Sequence, residues 1–114
     1  MADNIRQIRG DTRNYRFQRL NADGSPITTR PDKIYFTVKK KDTDKDVVFQ
    51  KTIDDMTIDD DGTYHFTVEP TDTNGLKYMT YVFDIEVITD GVKTTIAKGG
   101  FTVESEVTFV ENEV

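Results

Sequence analysis

Aspartate clusters are the residues whose type and spacing most directly suggest chemistry, because carboxylate oxygens bind hard cations such as Ca²⁺. One cluster alternates along the chain, at Asp42, Asp44 and Asp46. A helix–loop–helix calcium loop places ligands at alternate positions, but it also needs a glycine at the sixth position, where this chain has Val47. The alternation is therefore typical of a solvated acidic turn, and we predict no metal site there.

The second cluster is the run I58-D-D-D-G-T-Y-H-F66, in which aspartates interrupt an alternating apolar pattern. Consecutive residues of an extended chain point to opposite sides, so these carboxylates do not converge on one ion. Asp side chains instead bond their own backbone in turns, and glycine supplies a positive φ. The spacing of Asp60, Gly62 and Tyr64 is similar to the Asp-x-Gly-x-Tyr corner of immunoglobulin-type sandwiches, whose tyrosine hydroxyl bonds a backbone group. We therefore predict a structural corner at these residues.

Nucleophiles and bases are sparse in this chain. His65 is the only histidine and there is no cysteine, so a His–Cys zinc set is excluded. Ser25 and Ser105 are the only serines, and neither has a base in register for a hydrolase triad. No carboxylate pair lies among apolar neighbours that would raise one pKa for acid catalysis. We predict that the protein is not an enzyme and uses no cofactor.

The tripeptide R9-G-D11 is the sequence that integrins recognise, and it falls at a predicted turn. Three residues recur by chance, so a charged glycine turn is the simpler interpretation. Loss of cell adhesion on Gly10→Ala is the result that would support recognition.

Length and composition limit the remaining classes of protein. A chain of 114 residues suits one domain with a single core, and we predict that residues 1–114 form one β domain. Without cysteine, packing alone stabilises it. The net charge of -6 argues against nucleic acid, which needs a concentrated basic surface. No apolar run approaches the roughly 20 residues of a membrane span, so we expect no membrane partner.

The charge is unevenly distributed between the two ends of the chain. The first part is rich in arginine, at Arg6, Arg9, Arg13, Arg16 and Arg19. The last part carries glutamates and no base, with Glu104, Glu106, Glu111 and Glu113. Two interpretations fit this pattern: solvated strand faces that pair with each other, or complementary contacts between copies or with a neighbouring protein.

Apolar and polar residues alternate with a period of two through most of the chain, which predicts β-strands. The clearest segments are I34-Y-F-T-V-K-K40, V47-V-F-Q-K-T-I53, T63-Y-H-F-T-V-E69 and T80-Y-V-F-D-I-E-V-I88, followed by N14-Y-R-F-Q-R-L20 and the weaker N4-I-R-Q-I8. Turn-forming residues separate them, and Asp90-Gly91 is the strongest hairpin signal. About seven to eight short strands of this kind predict an all-β fold, an antiparallel β-sandwich, immunoglobulin-like or related.

The last part of the chain is less regular. In K93-T-T-I-A-K-G-G-F-T-V103 the residues Ile96 and Phe101 are out of phase, and a bulge at Gly99 and Gly100 would correct them. V107-T-F-V110 is either a last strand or part of a docking tail over residues 104–114. Three predicted strands follow Tyr64, whereas an immunoglobulin domain has one strand after its corner, so the corner and the topology need not go together.

Several stretches together resemble a known group of proteins. They are I8-R-G-D-T-R-N-Y-R-F, D23-G-S-P-I-T, I34-Y-F-T-V-K, D61-G-T-Y-H-F-T-V, Y81-V-F-D-I-E-V-I and A97-K-G-G-F-T-V-E-S-E-V-T. Over about residues 5–109 the chain resembles small β-sandwich structural proteins of tailed bacteriophages of Gram-positive hosts. Its layout is similar to the N-terminal domain of siphophage upper baseplate proteins.

The resemblance implies a non-enzymatic virion structural protein of the tail, baseplate or head-fibre (decoration) region, made in the bacterial cytoplasm and carried in the virion. Its partners would be other virion proteins, with multiple copies in the particle. The candidate docking residues lie toward the two ends of the chain: Arg6, Arg9, Arg13, Val107, Thr108, Phe109 and Val110. The alternative is a carbohydrate-binding or host-receptor-binding module that uses exposed tyrosines and acidic loops, with calcium at one of the aspartate clusters.

Overall fold

The computed structural model describes residues 3–106, and β-strands make up most of them. In chain order the strands are β1 (Asp3–Ile8), β2 (Arg13–Gln18), β3 (Lys33–Lys39), β4 (Phe49–Thr52), β5 (Thr57–Ile58), β6 (Thr63–Val68), β7 (Thr80–Thr89) and β8 (Val92–Glu104). A 3₁₀ turn (Ile53–Asp55) follows β4, and one helical turn, α1 (Pro70–Thr73), lies between β6 and β7. No helix within these residues is long and apolar enough to cross a membrane.

The strands form two sheets that pack against each other. One sheet has five strands in the order β1-β8-β7-β3-β4, and the other has three in the order β2-β6-β5. The predicted all-β sandwich of about eight strands is therefore confirmed. The order of β2-β6-β5 corresponds to strands B, E and D of an immunoglobulin sandwich, and β8-β7-β3-β4 to strands G, F, C and C′.

One strand pairing departs from the predicted antiparallel arrangement. β1 runs parallel to β8, from Asp3 beside Gly99 to Ile8 beside Glu104. Parallel neighbours need a long connection between them, and here most of the domain separates β1 from β8. A turn at Gly10, where φ is 85°, carries the chain from β1 in the larger sheet to β2 in the smaller one.

The core lies between the sheets and is built on aromatic rings. Phe36 of β3 is fully buried, and its ring centroid lies 4.7 Å from that of Phe66, which belongs to the opposite sheet. Phe83 and Phe101 flank it within its own sheet, at 5.7 and 6.3 Å. Burying each such ring stabilises the fold by about 1.5–3 kcal/mol, so this cluster holds the two sheets together.

The irregularity in β8 does not lie where the sequence predicted it. The register of β7 with β8 shifts between Ile85 and Glu86, whose partners are Ala97 and Thr95, so that Ile96 is the extra residue. Gly99 and Gly100 pair regularly, and the predicted bulge there is wrong. Gly100 is instead a place of close approach, since a Cβ would meet side chains of neighbouring strands at 3.1 and 3.2 Å.

Candidate functional site

The consecutive aspartates form a turn between β5 and β6. The Asp59 amide donates to the Thr63 carbonyl at 2.9 Å, and the Gly62 amide donates to the Asp59 carbonyl at 3.0 Å. The Asp61 carboxylate accepts from the Thr63 amide at 3.0 Å, and hydrogen bonds from Thr63 hold the pKa of Asp61 below its usual value. Gly62 has a φ of 83°, which glycine adopts readily. Backbone hydrogen bonds and the Asp61 carboxylate therefore hold this turn, as the turn interpretation expects.

The tyrosine corner, however, is not at Tyr64. The Tyr64 ring is buried in β6, and its hydroxyl accepts a hydrogen bond from Arg19 Nε at 3.3 Å. The backbone bond expected of a corner is made by Tyr81, whose hydroxyl donates to the Lys77 carbonyl at 3.0 Å. Tyr81 is the second residue of β7, in the place of strand F, and two residues before the buried Phe83. Asp60 and Gly62 thus shape a turn, while the corner bond belongs to Tyr81.

The alternating aspartates lie in the loop between β3 and β4. The Asp44 amide donates to the Lys41 carbonyl at 3.1 Å, and Lys39 Nζ donates to the Asp44 carbonyl at 2.9 Å. Both of these hydrogen bonds end on backbone carbonyl oxygens, and neither uses an aspartate carboxylate. Within residues 3–106 no three side chains of His, Cys, Asp or Glu are grouped so that they would hold a metal ion.

The other candidate groups make local contacts. His65 Nε2 lies 2.7 Å from an Asp59 carboxylate oxygen on the exposed face of β6. The Ser25 hydroxyl donates to the Asp23 carboxylate at 2.6 Å within a turn, and bonds from Ser25 lower the pKa of Asp23. Asp84 differs, since partial burial and the neighbouring Glu86 raise its pKa. Hydrogen bonding, partial burial and neighbouring charge account for these features.

The R9-G-D11 tripeptide is engaged inside the fold. The Arg9 guanidinium donates to Glu106 at 2.9 and 3.1 Å and to the Leu76 carbonyl at 3.2 Å, and it lies 4.4 Å from the centre of the Tyr78 ring. The Gly10 amide donates to the hydroxyl of the buried Thr73 at 2.9 Å. With its arginine side chain only 23% exposed, this turn fastens the end of β1 to the end of β8 and to the segment after β6.

The remaining predicted docking residues fall into two groups. Arg6 is 76% exposed and lies 3.7 Å from Glu104, and Arg13 donates to the Arg6 carbonyl and lies over the Tyr15 ring. The pairs of Arg6 with Glu104 and of Arg9 with Glu106 show that part of the uneven charge is satisfied within the chain. The other group, Val107, Thr108, Phe109 and Val110, lies outside the described residues, as do Glu111 and Glu113.

The strongest docking feature was not predicted from the sequence, and it is an exposed strand edge. β1 covers β8 only from Gly99 to Glu104, so residues 92–98 have β7 on one side and, among residues 3–106, no strand on the other. Beside this edge, a groove of about 690 Å³ opens between the two sheets. Its apolar walls come from Leu20, Ile27, Val87, Val92 and Ile96.

The groove is apolar and weakly cationic. Leu20 is 55% exposed, Val92 65% and Ile96 37%, so three of the exposed large apolar side chains of the described region gather here. Arg19 is the one charged residue among those that line it, in a protein whose net charge is -6. An exposed edge beside an apolar groove is suited to receiving an added strand, which would pair with the backbone and fill the groove with alternate side chains.

Comparisons with known proteins assign no family. No protein-family model matches the chain, and no curated protein matches it significantly.

Proposed function

We propose that this chain is a non-enzymatic structural protein of a tailed-phage virion, and that it works by attaching to other virion proteins. The observation that carries the proposal is the edge of β8 that residues 3–106 leave uncovered beside an apolar groove. Such an edge binds protein strands through backbone hydrogen bonds and pockets for alternate side chains. The resemblance of the chain to small phage sandwich proteins is the reason for proposing a phage virion as its location. Tail, baseplate and head-fibre positions are all compatible with it.

The test is biochemical and begins with the particle. Purified virions from the bacterial strain that carries the gene should contain the chain in multiple copies by quantitative mass spectrometry. Immunogold labelling would then place it on the head, neck, tail or baseplate. Abundant chain in the lysate with none in purified particles would contradict the proposal.

The alternative, a calcium-dependent carbohydrate or receptor module, is separated by a thermal melt. Ligands that bind only the folded state raise its melting temperature by mass action. The virion proposal predicts the same melting temperature in calcium and in chelator. A rise of several degrees in calcium, reversed by chelator, would favour the alternative.

A further inference from the structure

The open stretch of β8 and its groove have the dimensions and chemistry of a receptor for one extended strand. We propose that residues 107–114 of a second copy of this chain add along residues 92–98 of β8 and place their apolar side chains in the groove. This inference rests on the proposed attachment function and deepens it by naming the partner. Three properties of the protein support this contact: the direction of the β8 side chains, the reach of the chain and the charge around the groove.

The side chains of β8 define the face that an added strand would contact. Val92 pairs with Thr89 and Thr94 pairs with Val87, and all four line the groove on the inner side of the sheet. The bulge at Ile96 brings a further apolar side chain to the same wall. A strand beside residues 92–98 would therefore continue the inner face and cover Val92 and Ile96 with alternate residues.

The chemistry of residues 107–114 fits that position. The segment reads V-T-F-V-E-N-E-V, so on an extended chain Val107 and Phe109 share one face with Glu111 and Glu113. Glu111 and Glu113 follow, and the segment contains no base. The groove presents apolar walls with Arg19 as its charged lining residue, so a strand face with two apolar residues followed by two glutamates is complementary to it.

The same copy cannot place Val107 and Phe109 in the groove. Glu106 is held by Arg9 at the end of β8 that β1 covers. On a strand that rises about 3.3 Å per residue, Ile96 lies about 26 Å before Glu104. Residues 107–110 span at most about 14 Å when fully extended, so they fall short of the groove of their own chain. A second copy has no such limit.

This contact joins different surfaces of the two copies. A head-to-tail interface of this kind closes into a ring or continues as a filament, and each copy both gives and receives a strand. The multiple copies proposed for the particle would follow from it.

The first experiment measures association of the full chain by sedimentation equilibrium over a range of concentrations. The mass should rise with concentration. Val92→Glu, which places a carboxylate in the groove, and Phe109→Glu, which alters the added strand, should each weaken association at least about tenfold. Thr94→Glu is a second groove variant, and melting curves confirm that each variant is folded.

A matched control comes from the opposite side of the same sheet. Val47 is 44% exposed and precedes β4, which is the far edge from β1 and β8. Val47→Glu introduces the same charge at an apolar surface position and should leave association unchanged. Equal weakening by Val47→Glu and Val92→Glu would indicate a general charge effect and overturn the proposal.

Complementation gives the sharpest result. The Val92→Glu chain keeps an intact donor segment, and the Phe109→Glu chain keeps an intact groove. Each alone should be monomeric, while an equal mixture should form dimers and nothing larger, because only one productive contact remains. A mixture that stays monomeric under conditions in which the unaltered chain associates would overturn the proposal.

Three other outcomes would also overturn it: an unaltered chain that remains monomeric at about 1 mM, association that survives Val92→Glu and Thr94→Glu, and a Phe109→Glu change that lowers the melting temperature without changing the mass. The last would mean that the segment packs on its own chain. None of these results bears on whether virions contain the protein. Absence from virions would instead defeat the proposed function, even if the isolated chain associates.

Discussion

The two halves of β8 belong to the same strand but face different surroundings. From Gly99 to Glu104 the strand lies between β1 and β7, and the inward residues Phe101 and Val103 are 0% and 1% exposed. In residues 92–98, β7 is the only strand of residues 3–106 that pairs with it, and Val92 is 65% exposed. One half of the strand is thus part of the packed sandwich, whereas residues 3–106 leave one edge of the other half unpaired.

The largest expected effect is a difference in the free energy of unfolding between variants in the two halves of β8. Phe101→Ala leaves a cavity beside Phe36 and Phe49 and should lower the free energy of unfolding by about 3–5 kcal/mol. Val92→Ala, in the open half, should change it by less than about 0.5 kcal/mol. Urea titrations of both variants check this. Similar losses in the two variants would remove the distinction between the halves.

The second expected effect is a loss of stability at the groove beside residues 92–98 of β8. There the turn before β6 packs on Ile27, which lines the groove. A Cβ at Gly62 would lie 2.6 Å from the Ile27 carbonyl oxygen, and φ there is 83°. Gly62→Ala should therefore cost more than the roughly 1 kcal/mol of a strained φ alone. Gly24→Ala is the control, since Gly24 has a φ of 89° but no atom near its Cβ position. Equal losses would show that the close approach is not important.

The third expected effect concerns the tyrosine corner at the start of β7, which pairs with residues 101–102 of β8. Tyr81→Phe removes the donor to the Lys77 carbonyl and should lower the free energy of unfolding by about 1 kcal/mol. Tyr64→Phe removes an acceptor from Arg19, which also bonds the Thr29 carbonyl, and should have a smaller effect. Thermal melts compare the two. A larger loss at Tyr64 would place the corner where the sequence predicted it.

The smallest effects are pH-dependent and opposite in sign. Burial raises the pKa of Asp84, so its favourable contribution exists only when it is protonated and is lost as pH rises through that raised pKa. Asp84→Asn should therefore increase stability at pH 7, by less than about 1 kcal/mol because solvent screens a partly exposed group, and the gain should vanish in acid.

Asp61 provides the opposite case. Hydrogen bonds from Thr63 lower its pKa, so its contribution is present at neutral pH and is lost as pH falls through that lowered pKa. Asp61→Asn should lower the melting temperature at pH 7 and have no effect in strong acid. Shifts of the same sign for both variants across the pH range would contradict these assignments.

Much of the fold follows from local pattern. The period of two predicted strands at residues 34–40, 63–69 and 80–88, and the structure places β3, β6 and β7 within about one residue of these bounds. Periodicity says which residues face inward, but nothing about which strand lies beside which. The parallel pairing of β1 and the bulge at Ile96 therefore needed the structure.

The candidate site shows the same limit. Pairing of arginines near one end with glutamates near the other was one of two interpretations of the sequence, and pairing Arg9 with Glu106 depends on where β1 and β8 meet. The groove was missed because its walls come from distant segments, including Leu20, Ile27 and Val92. Their exposure is a property of the packed sheets. The only signal in the sequence was the apolar residues Val92 and Ile96 at the start of an irregular strand.

Hydrogen–deuterium exchange along β8 tests the central claim most directly. At low protein concentration, the outward-pointing amides of residues 92–98 should exchange much faster than those of residues 99–104, which are paired on both sides. As concentration rises and copies associate, protection should appear in residues 92–98 of the unaltered chain and not of the Val92→Glu chain. Equal protection of the two halves of β8 at low concentration would contradict the account.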